Sequence, residues 1–61
     1  MNKAAAVGQM VRVPWHRNGK RIYDLKGVII HIDGAYHDVR IINHPAYRIL
    51  ELYPCEFEIL D

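Results

Sequence analysis

The chain has 61 residues, of which 51% are hydrophobic and 25% are charged. This composition is too apolar for a disordered segment, and the length suffices for one small domain that buries only about 60% of its unfolded surface. The lone Cys55 excludes an internal disulfide framework, and equally a Cys₄ zinc site or an iron–sulfur cluster held by this chain alone. We therefore expect one domain in a reducing compartment, without a membrane span.

The net charge of +1 hides an uneven distribution along the chain. Residues 1–31 carry six Lys or Arg and one Asp, a net charge of +5, whereas residues 32–61 carry two Arg and six Asp or Glu, a net charge of −4. This asymmetry indicates a face suited to an anionic partner, either protein or nucleic acid. The alternative is that folding interleaves the charges, because strands distant in sequence become neighbours.

The N-terminal residues 1–6 are too few to sustain a helix, and they predict a flexible arm ahead of a single domain over residues 7–61. Met10-Val11-Arg12-Val13 alternates between apolar and other side chains, which predicts the first strand. Pro14 is expected to end this strand, because proline lacks the N–H that a ladder needs.

Basic and polar residues dominate the next stretch, from Trp15 to Lys26, and predict a long loop with a tight turn at Asn18-Gly19. The β-branched run from Val28 to Ile32 then predicts the second strand. Its alternation is expected to place Val28, Ile30 and Ile32 in the core, with Ile29 and His31 outside.

The rest of the chain predicts three more strands. Asp33-Gly34 predicts a hairpin turn, with a loop extending through Tyr36. His37 to Ile42 predicts the return strand, with Val39 and Ile41 facing inward and Arg40 facing outward. Tyr47 to Tyr53 alternates again, Pro54-Cys55-Glu56 predicts a single 3₁₀ turn, and Phe57 to Ile59 predicts a last short strand.

Five short strands with a long loop between strands 1 and 2 and a turn before the last strand predict an all-β fold, a small SH3-like barrel. An OB-fold would need more residues and a helix between its third and fourth strands. A helical fold is excluded because the apolar period is near two rather than 3.6.

No residue pattern predicts a metal or catalytic site. The four histidines, two of which (His31 and His37) flank the predicted hairpin, form no H-x-H, H-E-x-x-H or Cys/His cluster. They are expected to be ordinary exposed side chains. Cys55 is expected to be half-buried in its turn, and the aspartates occupy turn or edge positions. We therefore expect a protein without catalytic, metal-binding or cofactor-binding residues.

The basic loop is the better candidate for a functional site. Its cations are suited to phosphates and its aromatic rings to bases, and the same residues are suited to steering an acidic protein such as a ferredoxin. A loop that is merely solvated is the alternative. The candidate partner-binding residues are Trp15, His16, Arg17, Lys20, Arg21, Tyr23 and Lys26.

Short motifs spread over most of residues 7–60 carry a family resemblance. His16-Arg17-Asn18 follows the first strand, Tyr23-Asp24-Leu25-Lys26-Gly27 enters the second, and the chain closes with Glu56-Phe57-Glu58-Ile59-Leu60. In these features the sequence resembles the variable (alpha) chain of ferredoxin–thioredoxin reductase. Related small barrels on photosystem I and on the photosynthetic NDH complex also serve ferredoxin docking.

This resemblance implies an SH3-like barrel with no cofactor of its own. In that enzyme a separate catalytic chain holds the [4Fe–4S] cluster and the redox disulfide, and the variable chain packs against it. The resemblance thus implies a non-catalytic accessory subunit of a ferredoxin-linked redox enzyme, located in the cytoplasm or an equivalent plastid stroma. Its partners would be the catalytic reductase chain and ferredoxin.

Two other functions remain open at this stage. Lys26-Gly27-Val28-Ile29-Ile30 resembles a KOW element, which would imply a nucleic-acid-binding barrel, although the acidic C-terminal half argues against a phosphate binder. The third possibility is a small regulatory or phage-type protein that binds a host protein through an exposed sheet edge.

Overall fold

A computed structural model describes residues 4–60, except for the side chain of Arg17. Its strands form one five-stranded antiparallel sheet in the order β4-β3-β2-β1-β5, with β4 and β5 as its two edges within these residues. The elements are β1 (Met10–Arg17), β2 (Lys20–Asp33), β3 (Tyr36–Ile41), β4 (Ile49–Leu52), a 3₁₀ turn (Pro54–Glu56) and β5 (Glu58–Ile59).

The all-β class and the five strands are confirmed, as is the 3₁₀ turn before the last strand. Three residues of the predicted arm, 1–3, and the last residue of the predicted domain, 61, lie outside the described part. Ala5, within the predicted arm, packs against the core.

The predicted long loop between strands 1 and 2 is wrong, because β1 and β2 form a hairpin closed by the two residues Asn18 and Gly19. Both have positive φ, 54° and 77°. This combination suits the two-residue hairpin turn whose twist matches the flanking strands. The turn is where the sequence predicted it, and the polar residues around it belong to an exposed ladder rather than to a loop.

Pro14 does not end the first strand, which continues to Arg17. Pro14 pairs in register with Asp24 of β2 on one side. On its other side β1 pairs with β5 only at Val11 and Arg12. Beyond Arg12 that side is a free edge of the described sheet, and proline is tolerated at such an edge because no ladder N–H is required there.

The expected facing of β2 is inverted at Val28, Ile29 and Ile30. Ile29 is fully buried, Val28 is half-buried, and Ile30 is 40% exposed. A shift of one residue moves every side chain to the other face of a strand. A bulge between Ile29 and His31 then restores the expected facing, so that Ile32 packs against the core and His31 is exposed.

The core is a single apolar cluster between the strands, and Phe57 closes it just before β5. Val39 and Ile41 face inward and Arg40 faces outward, as the alternation predicted. One polar side chain, His37, is also buried, with Nδ1 3.1 Å from the carbonyl oxygen of Ala35. The buried apolar residues are Val11, Val13, Leu25, Ile29, Val39, Ile41, Leu52 and Phe57.

Gly27 occupies an inward position of β2 that has no room for a side chain. A Cβ there would overlap the Val39 side chain and would lie 2.8 Å from the carbonyl oxygen of Arg40. We expect Gly27→Ala to lower the free energy of unfolding by about 1–3 kcal/mol, because the backbones of β2 and β3 must separate. Urea unfolding measures this. The neighbouring exposed change Lys26→Ala is the control and should stay within about 0.5 kcal/mol; equal losses for both would contradict the packing argument.

Two tyrosines join the end of β4 to the start of β3. The hydroxyl of Tyr53 donates a hydrogen bond to that of Tyr36 at 2.6 Å, and the ring centroids are 4.7 Å apart. This hydrogen bond, followed by desolvation and nearby acidic groups, raises the pKa of Tyr53 above its ordinary value. Because the raised pKa favours the neutral phenol, the resulting stability is present below about pH 10 and is lost as pH rises through the pKa of the folded state.

Tyr36→Phe removes the acceptor of this hydrogen bond. We expect the pKa of Tyr53 to fall toward its ordinary value, because the phenol loses the interaction that holds its proton. A spectrophotometric titration of phenolate absorbance measures the shift, and Tyr53→Phe identifies which transition belongs to Tyr53. An unchanged Tyr53 transition in Tyr36→Phe would show that the hydroxyl contact has no influence on the titration.

Candidate partner-binding site

The tip of the β1–β2 hairpin carries several of the predicted site residues. His16 pairs across the hairpin with Arg21, and Arg17 pairs with Lys20 beside the turn. His16, Lys20 and Arg21 are exposed. The side chain of Arg17 lies outside the described structure. The predicted cations are therefore presented by a paired ladder, which is more ordered than the loop that was expected.

Trp15 and Tyr23 are cross-strand neighbours in the hairpin, and the connection between β3 and β4, residues 42–48, adds His44 and Tyr47 to them. Tyr23 stacks on His44 with centroids 5.6 Å apart and planes 8° apart. Tyr47 lies 4.7 Å from His44 and 4.9 Å from Trp15. We call these four residues the aromatic cluster. Desolvation, with a hydrogen bond to Tyr47, raises the pKa of Tyr23.

The connection at residues 42–48 is held against β2 by the side chain of Asn43. Its Oδ1 accepts a hydrogen bond from the backbone N–H of Lys26 at 2.7 Å, and its Nδ2 donates to the carbonyl oxygen of Asp24 at 3.2 Å. The N–H of Ile42 also donates to the carbonyl oxygen of Lys26 at 2.9 Å. This bracing positions His44 and Tyr47 against the hairpin.

Lys26 is not brought into the aromatic cluster. It pairs with Arg12 in β1, and it faces away from Leu25, which is buried. The seven predicted site residues thus divide between the tip of the hairpin and its far end.

Acidic side chains balance part of the positive charge on the outer face of the hairpin. Arg21 donates to Asp24 Oδ1 from Nε at 2.9 Å and from Nη2 at 2.7 Å. Arg12 bonds to Glu58, and its Nε lies 4.0 Å from Asp24 Oδ2. The hydrogen bond and charge of Glu58 raise the pKa of Arg12. Such exposed pairs are weak in energy, but they make this face mixed in charge rather than uniformly basic.

An open groove of about 290 Å³ runs between β1 and the 3₁₀ turn, next to the hairpin tip. Trp15 and His16 contribute to its wall from β1. Cys55 lines it from the turn and is exposed, not half-buried as expected, because none of the three residues of this turn is buried in the core. The other lining residues are Val13, Pro14, Leu52, Glu56, Phe57 and Glu58.

The histidines lie in different surroundings. His31 and His37 flank the β2–β3 hairpin but do not face each other, because His31 is exposed and His37 is buried against Phe57. The expectation that all four are exposed is therefore wrong for His37 and for His44, which is half-buried in the aromatic cluster. Across residues 4–60, no group of three or more His, Cys, Asp or Glu side chains is placed to hold a metal ion.

Sequence reasoning missed Asn43, His44 and Tyr47 as parts of the site. Asn43-His44-Pro45 falls between two predicted strands and breaks their alternation, which gives no sign of a contact, although asparagine is well suited to bonding backbone groups in connections. Local pattern does not reveal which strand such a connection lies against. That contact becomes visible only when the sheet order is known.

Comparisons with protein-family models, with curated proteins and with solved structures find no match to this chain. The ferredoxin–thioredoxin reductase resemblance therefore stays a prediction. Within the described residues, no helix is long and apolar enough to cross a membrane.

Removing the side chain of Asn43 should release the connection from β2. We expect Asn43→Ala to lower the free energy of unfolding by about 1–2 kcal/mol, since two hydrogen bonds are lost, and to speed amide hydrogen exchange at Lys26. Asn43→Asp is the partial variant, because it keeps the acceptor for the Lys26 N–H and replaces the donor to Asp24 with a carboxylate oxygen. Exchange at Lys26 should therefore stay slower in Asn43→Asp than in Asn43→Ala. Exchange at Lys26 that is equally slow in wild type and Asn43→Ala would refute the bracing role.

Proposed function

We propose that the chain is a non-catalytic accessory subunit of a ferredoxin-linked redox enzyme, of the ferredoxin–thioredoxin reductase variable-chain type. It would bind partner proteins through the β1–β2 hairpin and the groove beside it. The observation that carries the proposal is the ordered hairpin, which presents cations and two aromatic rings on a braced scaffold.

The strand order supports the finer description of the fold as an SH3-like barrel. The strands β2, β3 and β4 form a meander, and β1 and then β5 extend the sheet on the other side of β2. The strand β2 is 14 residues long. Its bulge between Ile29 and His31 is the kind of irregularity that bends a strand. A long bent strand of this kind can contribute to both halves of a small barrel.

The order of the hairpin favours binding of a partner. Because its ladder and its ring contacts are present before binding, little conformational freedom is lost when a partner docks. The exposed cations near the tip would guide an acidic protein toward it, and the half-buried Trp15 beside the groove offers an apolar contact. These are the features of a docking surface with a polar rim.

The mixed charge of the hairpin favours protein over nucleic acid as its partner. Asp24 engages Arg21, and Glu58 engages Arg12, so two cations already have carboxylate partners and two carboxylates stand on the same face. A phosphate backbone would meet both carboxylates. Tyr23 already stacks on His44 with one face of its ring, which leaves less aromatic surface for a base. A partner protein can match both signs of charge.

Binding to two defined proteins tests the proposal: the catalytic chain of ferredoxin–thioredoxin reductase, and a ferredoxin, each titrated calorimetrically at low ionic strength. We expect Lys20→Gln and Lys26→Gln each to weaken binding about threefold, because each removes one exposed attraction. Ala35→Glu, in the β2–β3 turn, changes the net charge by the same amount and is the matched control. It should leave the affinity nearly unchanged.

The proposal is refuted if neither protein binds the chain. Equal weakening by Ala35→Glu would mean that only net charge matters, and the hairpin would have no specific role. Salt-sensitive binding of a single-stranded oligonucleotide, lost in the same lysine variants, would favour the KOW-like nucleic-acid function instead.

A further inference from the structure

A second depression lies away from the β1–β2 hairpin tip, where β2, β3 and β4 meet the connection at residues 42–48. Its volume is about 390 Å³. Two of its apolar side chains are well exposed, Ile30 by 40% and Ile49 by 56%. We call it the outer depression. Its lining residues are Ile30, Arg40, Ile41, His44, Tyr47, Arg48 and Ile49.

The strand register explains why aliphatic side chains lie here. Val28, Arg40 and Ile49 are successive cross-strand partners in β2, β3 and β4, so they share one face of the sheet. That face is the outer one, because Val39, next to Arg40, is fully buried. Ile30 sits in the β2 bulge and turns toward the same depression. Exposed aliphatic side chains gathered around one depression are typical of an interaction surface.

Positive charge surrounds these aliphatic side chains. Arg40 and Arg48 are exposed, and among residues 4–60 neither forms an ion pair. The carboxylates of this face lie two register positions further along, where Asp38 pairs with Glu51. The exposed isoleucines are therefore next to two cations that form no ion pair with the described residues.

We propose that the outer depression is a docking site for a protein segment that carries carboxylates beside an apolar side chain. The carboxylates pair with Arg40 and Arg48, and the apolar side chain covers Ile30 and Ile49. Guanidinium groups suit this role because they bind carboxylates with two parallel hydrogen bonds. The site shares the rings of His44 and Tyr47 with the aromatic cluster but none of the cations of the hairpin tip, and its use does not depend on the function proposed above.

Two other occupants fit the surface less well. In a two-fold dimer the same patch of both copies meets, which would bring the arginines of one copy against those of the other. A nucleic acid would find arginines for its phosphates, but only half-buried rings on which to stack its bases. The two rings that border the depression already have ring neighbours, since His44 contacts Tyr23 and Tyr47 contacts Trp15.

Nuclear magnetic resonance titration of the ¹⁵N-labelled protein tests this inference. The probe is a short peptide of alternating glutamate and leucine, compared with a glutamine–leucine peptide and a glutamate–serine peptide. We expect the glutamate–leucine peptide to shift the amide signals around Ile30, Arg40 and Ile49. Each of the other two peptides should bind at least about fivefold more weakly. The glutamine–leucine peptide lacks the carboxylates, and the glutamate–serine peptide lacks the apolar side chains.

Variants separate this site from the hairpin. Arg40→Gln combined with Arg48→Gln should weaken binding of the glutamate–leucine peptide about tenfold. Ile49→Thr, which keeps a β-branched residue in the edge strand, should weaken it as well. Ala35→Glu, in the β2–β3 turn outside both sites, is the control and should leave the affinity unchanged. The hairpin proposal is tested with other partners and with the lysine variants, so failure of one proposal is distinguishable from failure of the other.

Three outcomes overturn the inference. One is equal affinity for the glutamine–leucine peptide, which would reduce the surface to unspecific apolar contact. Another is concentration-dependent sedimentation that Ile49→Thr abolishes, which would make the occupant a second copy. The third is a set of shifts at the same residues on adding a single-stranded oligonucleotide with no response to the peptide.

Discussion

The close approach of β2 to β3 at Gly27 is the constraint on which the rest of the structure depends. Position 27 faces inward against Val39, and because no Cβ fits there, only glycine can occupy it. The facing of Leu25 and Ile29 follows, because side chains two residues apart share a face. Lys26, Val28 and Arg40 must then face outward. The outer depression results from this outward facing.

The hairpin and the β3–β4 connection position each other. Asn43 fastens the connection to the backbone of β2, and the connection in turn supplies the rings that pack on Trp15 and Tyr23. A hairpin of two strands is marginal in water without further packing. In this chain the aromatic cluster supplies that packing, which explains how a stretch rich in basic and polar residues forms an ordered ladder.

The sequence predicted the number and nature of the strands better than their extent. Alternation in β3 identified Val39 and Ile41 correctly, because Arg40 between them marks the outer face. In β2 the apolar run offers no such marker: Val28, Ile29 and Ile30 are equally hydrophobic, and the inward position of Gly27 has no hydrophobic signal at all. The prediction that Pro14 ends the first strand was wrong for a related reason, because the free-energy cost of a proline depends on whether its side of the strand is paired.

The pairing of charges at the candidate site also could not be predicted from the sequence. By sequence, positive charge belongs to the N-terminal half. Folding brings Glu58 of the acidic half to Arg12, and local geometry brings Asp24 to Arg21, so two of those cations are compensated. The two arginines of the acidic half, Arg40 and Arg48, instead stand beside exposed isoleucines. Among the described side chains, the cations without an ion-pair partner therefore lie at the tip of the hairpin, on its outer face and around the outer depression. A partner recognised by charge would meet the sheet as readily as the hairpin.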